Sequence, residues 1–286
     1  MNRISLVYDR IRWEEKALIE ASRKLGLDVR LIDSKEIYLK ADDFEIIRNE
    51  FGDVALQRCI SYFRGLHITA VLESMGLPVI NPFHVSLICG NKLFTTLALI
   101  KADVPVPKTL VAFTNKGAIK ALDSLGYPAV LKPVVGSWGR LIALVKDRET
   151  AQALIESREE MRDSLMQIYY FQEYVKRPPR DIRILTVGDE VVAAAYRYSA
   201  EGEWRTNVAR GGRTEPCPLT DEIVDLALKA SKSVGGGVLA IDCMESPTGI
   251  VVHEVNNTPE FKGLYSATMV DIPRKIIEYA IKVMKR

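Results

Sequence analysis

The sequence predicts an α/β lobe on a parallel sheet, followed by a larger α+β body of antiparallel strands. Two observations carry that expectation. Over roughly the first 80 residues, apolar runs of strand length alternate with stretches at helical spacing, the pattern of βαβ units. From about residue 129 onward, apolar runs follow one another across short turns, which reads as antiparallel hairpins with flanking helices. A chain of 286 residues, 48% apolar and 27% charged, has material for two domains at roughly 100–200 residues each.

Taken in order, residues 4–8 (Ile4-Ser5-Leu6-Val7-Tyr8) read as the first strand and residues 13–25 as a helix ended by Gly26. Residues 29–32 and 54–57 read as further strands. A helix spans residues 63–75, and a short strand precedes Asn81-Pro82. No Gly-rich dinucleotide fingerprint follows the first strand, so this lobe is not expected to hold a nucleotide in the Rossmann manner. A helical stretch then runs to about Asp103, closed by Val104-Pro105-Val106-Pro107. Strands follow at residues 129–134 and 141–145, a helix at 149–160, then strands at 167–174, 181–187, 191–198, 238–244 and 250–256.

Thirty-nine basic against 37 acidic residues give a net charge of +2, which is no nucleic-acid footprint. No apolar run approaches 18 residues, and the start lacks the three regions of a signal peptide, so a cytoplasmic protein is expected. Cys59, Cys89, Cys217 and Cys243, with His67, His84 and His253, make no zinc pattern, and the cysteines are expected reduced.

Three features carry chemistry. The loop Gly136-Ser137-Trp138-Gly139-Arg140 joins two strands. Its glycines let backbone N–H groups approach a ligand, so it can close over phosphates, although taken alone it reads first as an ordinary hairpin turn. Asp242 ends one late strand, and Glu254 with Asn256 ends the next, across the turn Ser246-Pro247-Thr248-Gly249. Glu254 and Asn256 are two apart and share a face. Two carboxylates and an amide oxygen converging there suit Mg²⁺, and the alternative is polar strand ends in solvent. Lys92, Lys132, Lys176, Arg183, Arg197 and Arg210 sit at strand and helix positions. Singly they read as surface charges. Together with a phosphate loop and a magnesium cluster they imply a polyanion such as ATP, with the backbone after Glu173 able to read an adenine edge.

These pieces resemble the ATP-grasp superfamily, and within it the RimK-like carboxylate–amine ligases, over essentially the whole chain. The matching segments are Gly90-Asn91-Lys92, Leu131-Lys132-Pro133, residues 136–140, Gln172-Glu173-Tyr174, Asp181-Ile182-Arg183, residues 206–212, Ile241-Asp242 and Glu254-Val255-Asn256. Gly-Ser-Trp-Gly-Arg, Asn-Val-Ala-Arg-Gly-Gly and the run from Glu254 to Lys262 are most similar to the LysX branch. Enzymes of that branch join α-aminoadipate to the C-terminal glutamate of the small acidic carrier protein LysW, in lysine biosynthesis. A sister branch, ArgX, does the same with glutamate.

The resemblance implies an ATP-grasp fold: a pre-ATP-grasp lobe over residues 1–82 and an ATP-grasp region over 83–286, with a central lid part at 108–175 and a C-terminal part at 176–286. ATP and Mg²⁺ are the implied cofactors. On the nucleotide side it places Lys92, Lys132, the lid residues Gly136, Ser137, Trp138, Gly139 and Arg140, then Glu173, Tyr174, Val175, Lys176, Asp181, Arg183 and Asn207. Asp242, Glu254 and Asn256 would bind metal. Arg197, Asn207 and Arg210 would act at the reacting groups, with Val208, Ala209 and Gly211 beside Arg210 at a substrate carboxylate. Asn257-Thr258 resembles the aminoadipate type of selecting dipeptide, and Glu260, Phe261 and Lys262 follow it on the substrate side. A homodimer or homotetramer is implied as well. An acidic carrier calls for a basic docking face, for which Arg58, Arg64 and the run Lys176-Arg177-Pro178-Pro179-Arg180 are candidates. Glutamate addition and a non-catalytic nucleotide-binding regulator are the alternative functions.

Overall fold

The computed structural model describes residues 3–40, 49–200 and 212–285. Three sheets organise them. In the first lobe, β1 (Arg3–Tyr8) runs parallel to β2 (Asp28–Asp33) on one side and β3 (Val54–Gln57) on the other, with β4 (Val79–Ile80) beyond β3. The central residues of β1 are buried on both faces, which is what a parallel strand covered by helices requires. The helix Trp13–Lys24 covers this sheet with Leu18, Ile19 and Ala21.

The second sheet has the order β5-β8-β6-β7, built from β5 (Thr109–Ala112), β6 (Ala129–Lys132), β7 (Ala143–Val145) and β8 (Tyr169–Glu173). All its pairings are antiparallel. The helices Asn115–Leu125 and Arg148–Glu160 cover it with Ala118, Leu122, Ala151 and Ile155. The third sheet has the order β11-β10-β9-β12-β13, from β9 (Arg180–Val187), β10 (Glu190–Tyr198), β11 (Arg213–Pro216), β12 (Val238–Ser246) and β13 (Gly249–Asn256).

This last sheet has apolar side chains on both faces. Leu239, Ile241 and Cys243 of β12 meet the helix Asp221–Ser233 on one side. Val238 and Ala240 join the first lobe, Phe261 and the helix Ile272–Met284 on the other. Each such fully buried aliphatic side chain stabilises the fold by about 1.5–3 kcal/mol.

The helical stretch expected to run unbroken to about Asp103 is instead two helices, Phe83–Cys89 and Lys92–Lys101, bent by 103°. Asn91 explains the break, because its side chain accepts from the N–H groups of Leu93 and Phe94 and caps the second helix. Gly90 is needed beside it, since a Cβ there would lie 1.7 Å from the Tyr62 ring. The strand β5 and the helices Asn115–Leu125, Asp221–Ser233, Lys262–Thr268 and Ile272–Met284 had no assignment from sequence. Among the described residues, no single helix is long and apolar enough to cross a membrane.

Asn81 ties the first lobe to the third sheet. Its Nδ2 donates to the carbonyls of Val238 and Asn257, and its Oδ1 accepts from the N–H of Val238, all at 2.7 Å. Gly237 precedes this contact at φ +113°, and a Cβ there would lie 2.2 Å from Asn81 Oδ1. Asn81→Leu should strand three backbone groups, the two of Val238 buried and that of Asn257 part-buried, and cost about 3 kcal/mol or more in urea unfolding. A loss below about 1 kcal/mol would refute the role given to this side chain.

Candidate active site

The hairpin of β12 and β13 sets the site. Asp242 pairs with Glu254, Ile241 with Val255 and Ala240 with Asn256, whereas Cys243 pairs with Val252. His253 is therefore an extra residue, a bulge in β13. Val252 and Val255, three apart, both enter the core. The bulge thus brings His253 to the side of the sheet where Glu254 and Asn256 meet open space.

Asp242 is buried and accepts from Arg183 through both oxygens, each at 2.8 Å. Arg197 NH2 lies 3.1 Å from Asp242 Oδ2, and Arg197 is held in turn by both oxygens of Asp181 at 2.7 Å. Burial opposes ionisation of Asp242, but the Arg183 and Arg197 charges outweigh it and hold its carboxyl far below the usual range. Asn256 Nδ2 is 3.4 Å from Asp242 Oδ2, and Glu254 Oε1 meets Lys92 Nζ at 3.1 Å.

Two cavities adjoin this cluster. The larger, of about 330 Å³, reaches from Asp242, Glu254 and Asn256 past Lys92 to Arg12, Tyr62 and Glu260. The smaller, of about 90 Å³, lies between the second and third sheets, among Val130, Lys132, Ile142, Val175, Met244 and His253. The loop at residues 136–140 lies over both. Gly136, Ser137 and Trp138 line the larger, and Gly139, buried at φ +66°, lines the smaller. Lys92 Nζ donates to the Gly136 carbonyl at 2.7 Å, and Trp138 Nε1 donates to Glu260 Oε1 at 3.3 Å.

Residues 89–280 match the RimK-like ATP-grasp domain, and residues 4–88 match the LysX preATP-grasp domain. The chain belongs to the RimK-like ATP-grasp family. Membership makes it an ATP-dependent ligase with ATP and Mg²⁺ as cofactors. The chain is 40% identical to the α-aminoadipate–LysW ligase LysX of Saccharolobus solfataricus, over 96% of this chain and 99% of that protein. It is 35% identical to the glutamate–LysW ligase ArgX of Sulfolobus acidocaldarius, over 97% of each. A solved RimK domain ATP-grasp protein from Sphaerobacter thermophilus superposes with a TM-score of 0.77, at 25% identity, covering 98% of this chain and 99% of that one.

The residues present fit an ATP-grasp ligand set. Asp242, Glu254 and Asn256 offer hard oxygens at one cavity wall, and Mg²⁺ asks for one or two carboxylates beside phosphates and waters. Among the described residues no three of His, Cys, Asp and Glu form a metal group, so an Mg²⁺ here would draw its further oxygens from phosphates and water. In the smaller cavity, His253 Nε2 is buried without a hydrogen-bond partner, and burial keeps that imidazole neutral well below its ordinary range. Sequence reasoning missed His253, because alternation from Glu254 puts it on the opposite face.

The other sequence-derived residues divide by place. Glu173, Tyr174, Val175 and Asp181 line the smaller cavity, and Arg183 the larger, with Arg197 on both. Glu173 Oε1 accepts from the Lys108 N–H at 2.8 Å. Asn257 and Thr258 line the larger cavity, and Asn257 Nδ2 donates to Ser86 Oγ at 3.0 Å. Arg140 and Lys176 are exposed and line neither cavity. Phe261, expected on the substrate side, is fully buried in the core against Trp13, and Lys262 is exposed at the start of a helix away from both cavities. Asn207, Val208, Ala209, Arg210 and Gly211 lie outside the described residues. The docking candidates change as well. Arg58 is buried against Glu15, and Arg180 is held by both oxygens of Glu245 and stacked on Tyr196.

Lys132 Nζ donates to Gln172 Oε1 at 2.6 Å. Burial, with the neighbouring Lys92 and Arg177 charges, pushes its ammonium down to about 8, against the pull of Glu254 and Asp242. A lowered cationic group binds fewer protons folded than unfolded, so its contribution to stability rises as pH climbs from about 8 to the ordinary value of 10.5. A polyphosphate beside Lys132 restores the charged form. Binding of ATP at pH 8.5 should therefore take up a fraction of a proton, read by calorimetry in buffers of different ionisation enthalpy, and Lys132→Met should abolish it. Identical heats in all buffers for the unaltered protein would contradict this.

Proposed function

We propose that the chain joins the amine of α-aminoadipate to the C-terminal glutamate carboxyl group of a LysW-type carrier protein, through an acyl phosphate. The observation that carries this reading is Asn257-Thr258 on the wall of the larger cavity, in a chain 40% identical to a LysX over nearly its full length. A second reading, glutamate as acceptor, is favoured by the 35% identity to an ArgX.

A carboxylate is a poor electrophile and must be activated. A carboxylate oxygen of the carrier attacks the γ-phosphorus of ATP, the bond to the β-phosphate oxygen breaks, and ADP leaves. The acceptor nitrogen then attacks the acyl carbon, and phosphate departs with the bonding pair and takes up the proton that the nitrogen releases. No side-chain nucleophile is needed, and catalysis is positioning and charge stabilisation. Asp242, Glu254 and Asn256 would hold Mg²⁺, which would neutralise phosphate charge when bound. Lys92 and Lys132 hold phosphate oxygens, and residues 173–175 take the adenine and ribose. Asp181 and Arg183 fix Arg197 and Asp242 beside them, and Arg197 with Asn207 and Arg210 meets the reacting anions. The loop at 136–140 keeps water from the acyl phosphate.

Mass spectrometry of the carrier after incubation with ATP, Mg²⁺ and each amino acid tests the reading. The expected result is a mass increase of one aminoadipyl residue. No ATP-dependent mass increase with either amino acid would refute it. Glu254→Gln should lower kcat at least about 100-fold with the fold intact. Asn257→Gly with Thr258→Phe should move the ratio of kcat/KM values toward glutamate, by about tenfold or more for a one-methylene difference. An unaltered ratio would remove the selecting role from the dipeptide.

A further inference from the structure

The larger cavity has a second polar end, at Arg12 and Glu260, away from the Asp242 cluster. Arg12 caps the helix Trp13–Lys24, and its guanidinium is fixed on one side. Nε and NH2 donate to the two oxygens of Glu15 at 3.0 Å, and Glu15 also accepts from the Arg12 backbone N–H at 2.9 Å. Glu15 has no exposed side-chain surface and is held from behind by Arg58 Nε at 3.0 Å. Burial opposes its ionisation, but the Arg12 hydrogen bond and the Arg58 and Arg12 charges outweigh that and hold the carboxyl below its ordinary range. Arg58 NH2 in turn donates to the Pro259 carbonyl at 3.1 Å, and Glu14 Oε1 accepts from the N–H groups of Phe261 and Lys262. Arg12, its support and residues 259–262 are thus one rigid unit.

The remaining nitrogen of that fork, Arg12 Nη1, donates to Glu260 Oε1 at 3.0 Å. Glu260 differs from Glu15 in being 43% exposed, and the same oxygen also accepts from Trp138 of the loop over the site. The other described cations lining this cavity are committed to the metal-side carboxylates: Lys92 to Glu254, and Arg183 and Arg197 to Asp242. The acceptor amino acid carries two carboxylates and one ammonium group, so a cation set apart from the metal-side carboxylates, with one anion beside it, matches it.

We propose that Arg12 and Glu260 form a zwitterion-binding subsite for the acceptor amino acid, in which an acceptor carboxylate takes Arg12 Nη1 in place of Glu260 and the released Glu260 accepts from the acceptor ammonium, whose proton it takes before the nitrogen attacks. This inference rests on the function proposed above and extends it by assigning a residue of the first lobe to substrate binding. An exposed carboxylate that neutralises a fixed guanidinium in the free enzyme is readily exchanged for another of the same chemistry. A planar, pre-oriented fork gives the incoming carboxylate its direction. Glu15 and Arg58 act as positioning residues, through Arg12 and the Pro259 carbonyl.

The test is steady-state kinetics with purified full-length protein, ATP, Mg²⁺, the carrier and α-aminoadipate, comparing Arg12→Gln, Arg12→Lys and Glu260→Gln with the unaltered enzyme. Arg12→Gln keeps the bond from the residue 12 backbone to Glu15, so the helix start is preserved. The KM for α-aminoadipate should rise about tenfold or more in Arg12→Gln, with the KM for ATP within about twofold. Arg12→Lys should recover part of the loss, and the double variant of Arg12 and Glu260 should lose less than the product of the two single losses. An acceptor KM within about twofold of the unaltered value in Arg12→Gln would overturn the inference while leaving the ligase function standing. So would a parallel rise in the KM for ATP. No turnover by the unaltered enzyme with any acceptor would remove the function and this subsite together.

Discussion

A buried negative charge at Asp242 is the constraint around which the third sheet is arranged. An ionised carboxylate out of water is tolerated only when paired and hydrogen-bonded, and Asp242 obtains that from Arg183 and Arg197. Arg197 is itself buried and needs a second anion, which Asp181 provides. The result is two guanidinium groups and two carboxylates in alternation across β9, β10 and β12. The four charges cancel, so the cluster rests stably without ligand. Its outer edge, at Glu254 and Asn256, lines the larger cavity. Removing any one partner leaves an uncompensated charge inside the protein, which is why the cluster functions as a unit.

The bulge at His253 is the local irregularity that makes this edge useful. A regular strand would have alternated His253, Glu254 and Val255 between faces. The extra residue instead lets Val252 and Val255 both stay in the core, so that His253 and Glu254 stand beside neighbouring cavities. One strand thereby serves the compartment beside Lys132 and the compartment beside Lys92 together.

Much of this was legible in the sequence. Asp242, Glu254 and Asn256 stood out because hard-oxygen side chains ended two apolar strands across a recognisable turn, and period two put Glu254 and Asn256 on one face. Lys132 stood out as a cation inside an apolar run, and the first lobe announced itself by alternating periods. What was hidden depended on contacts between distant segments. Nothing near Arg12 shows that Glu15 will be sealed behind it by Arg58, 43 residues further along the chain. The same burial removed Arg58 from the surface on which its charge alone had placed it. The family resemblance puts Phe261 on the substrate side, whereas tertiary packing against Trp13 decides its place. The break at Gly90-Asn91 was readable as a cap, but apolar residues on both sides masked it.

The stitching of residues 259–262 to the start of the first long helix makes two distant segments of the chain dependent on each other. Pro259, Phe261 and Lys262 belong to the C-terminal body by sequence, yet their backbone groups are held by Glu14 and Arg58 from the opposite end of the chain. The two segments therefore form a single packed unit. A chimaera that took only one of them from a relative would lose the hydrogen bonds of this seam, so the two keep their fit only when exchanged together.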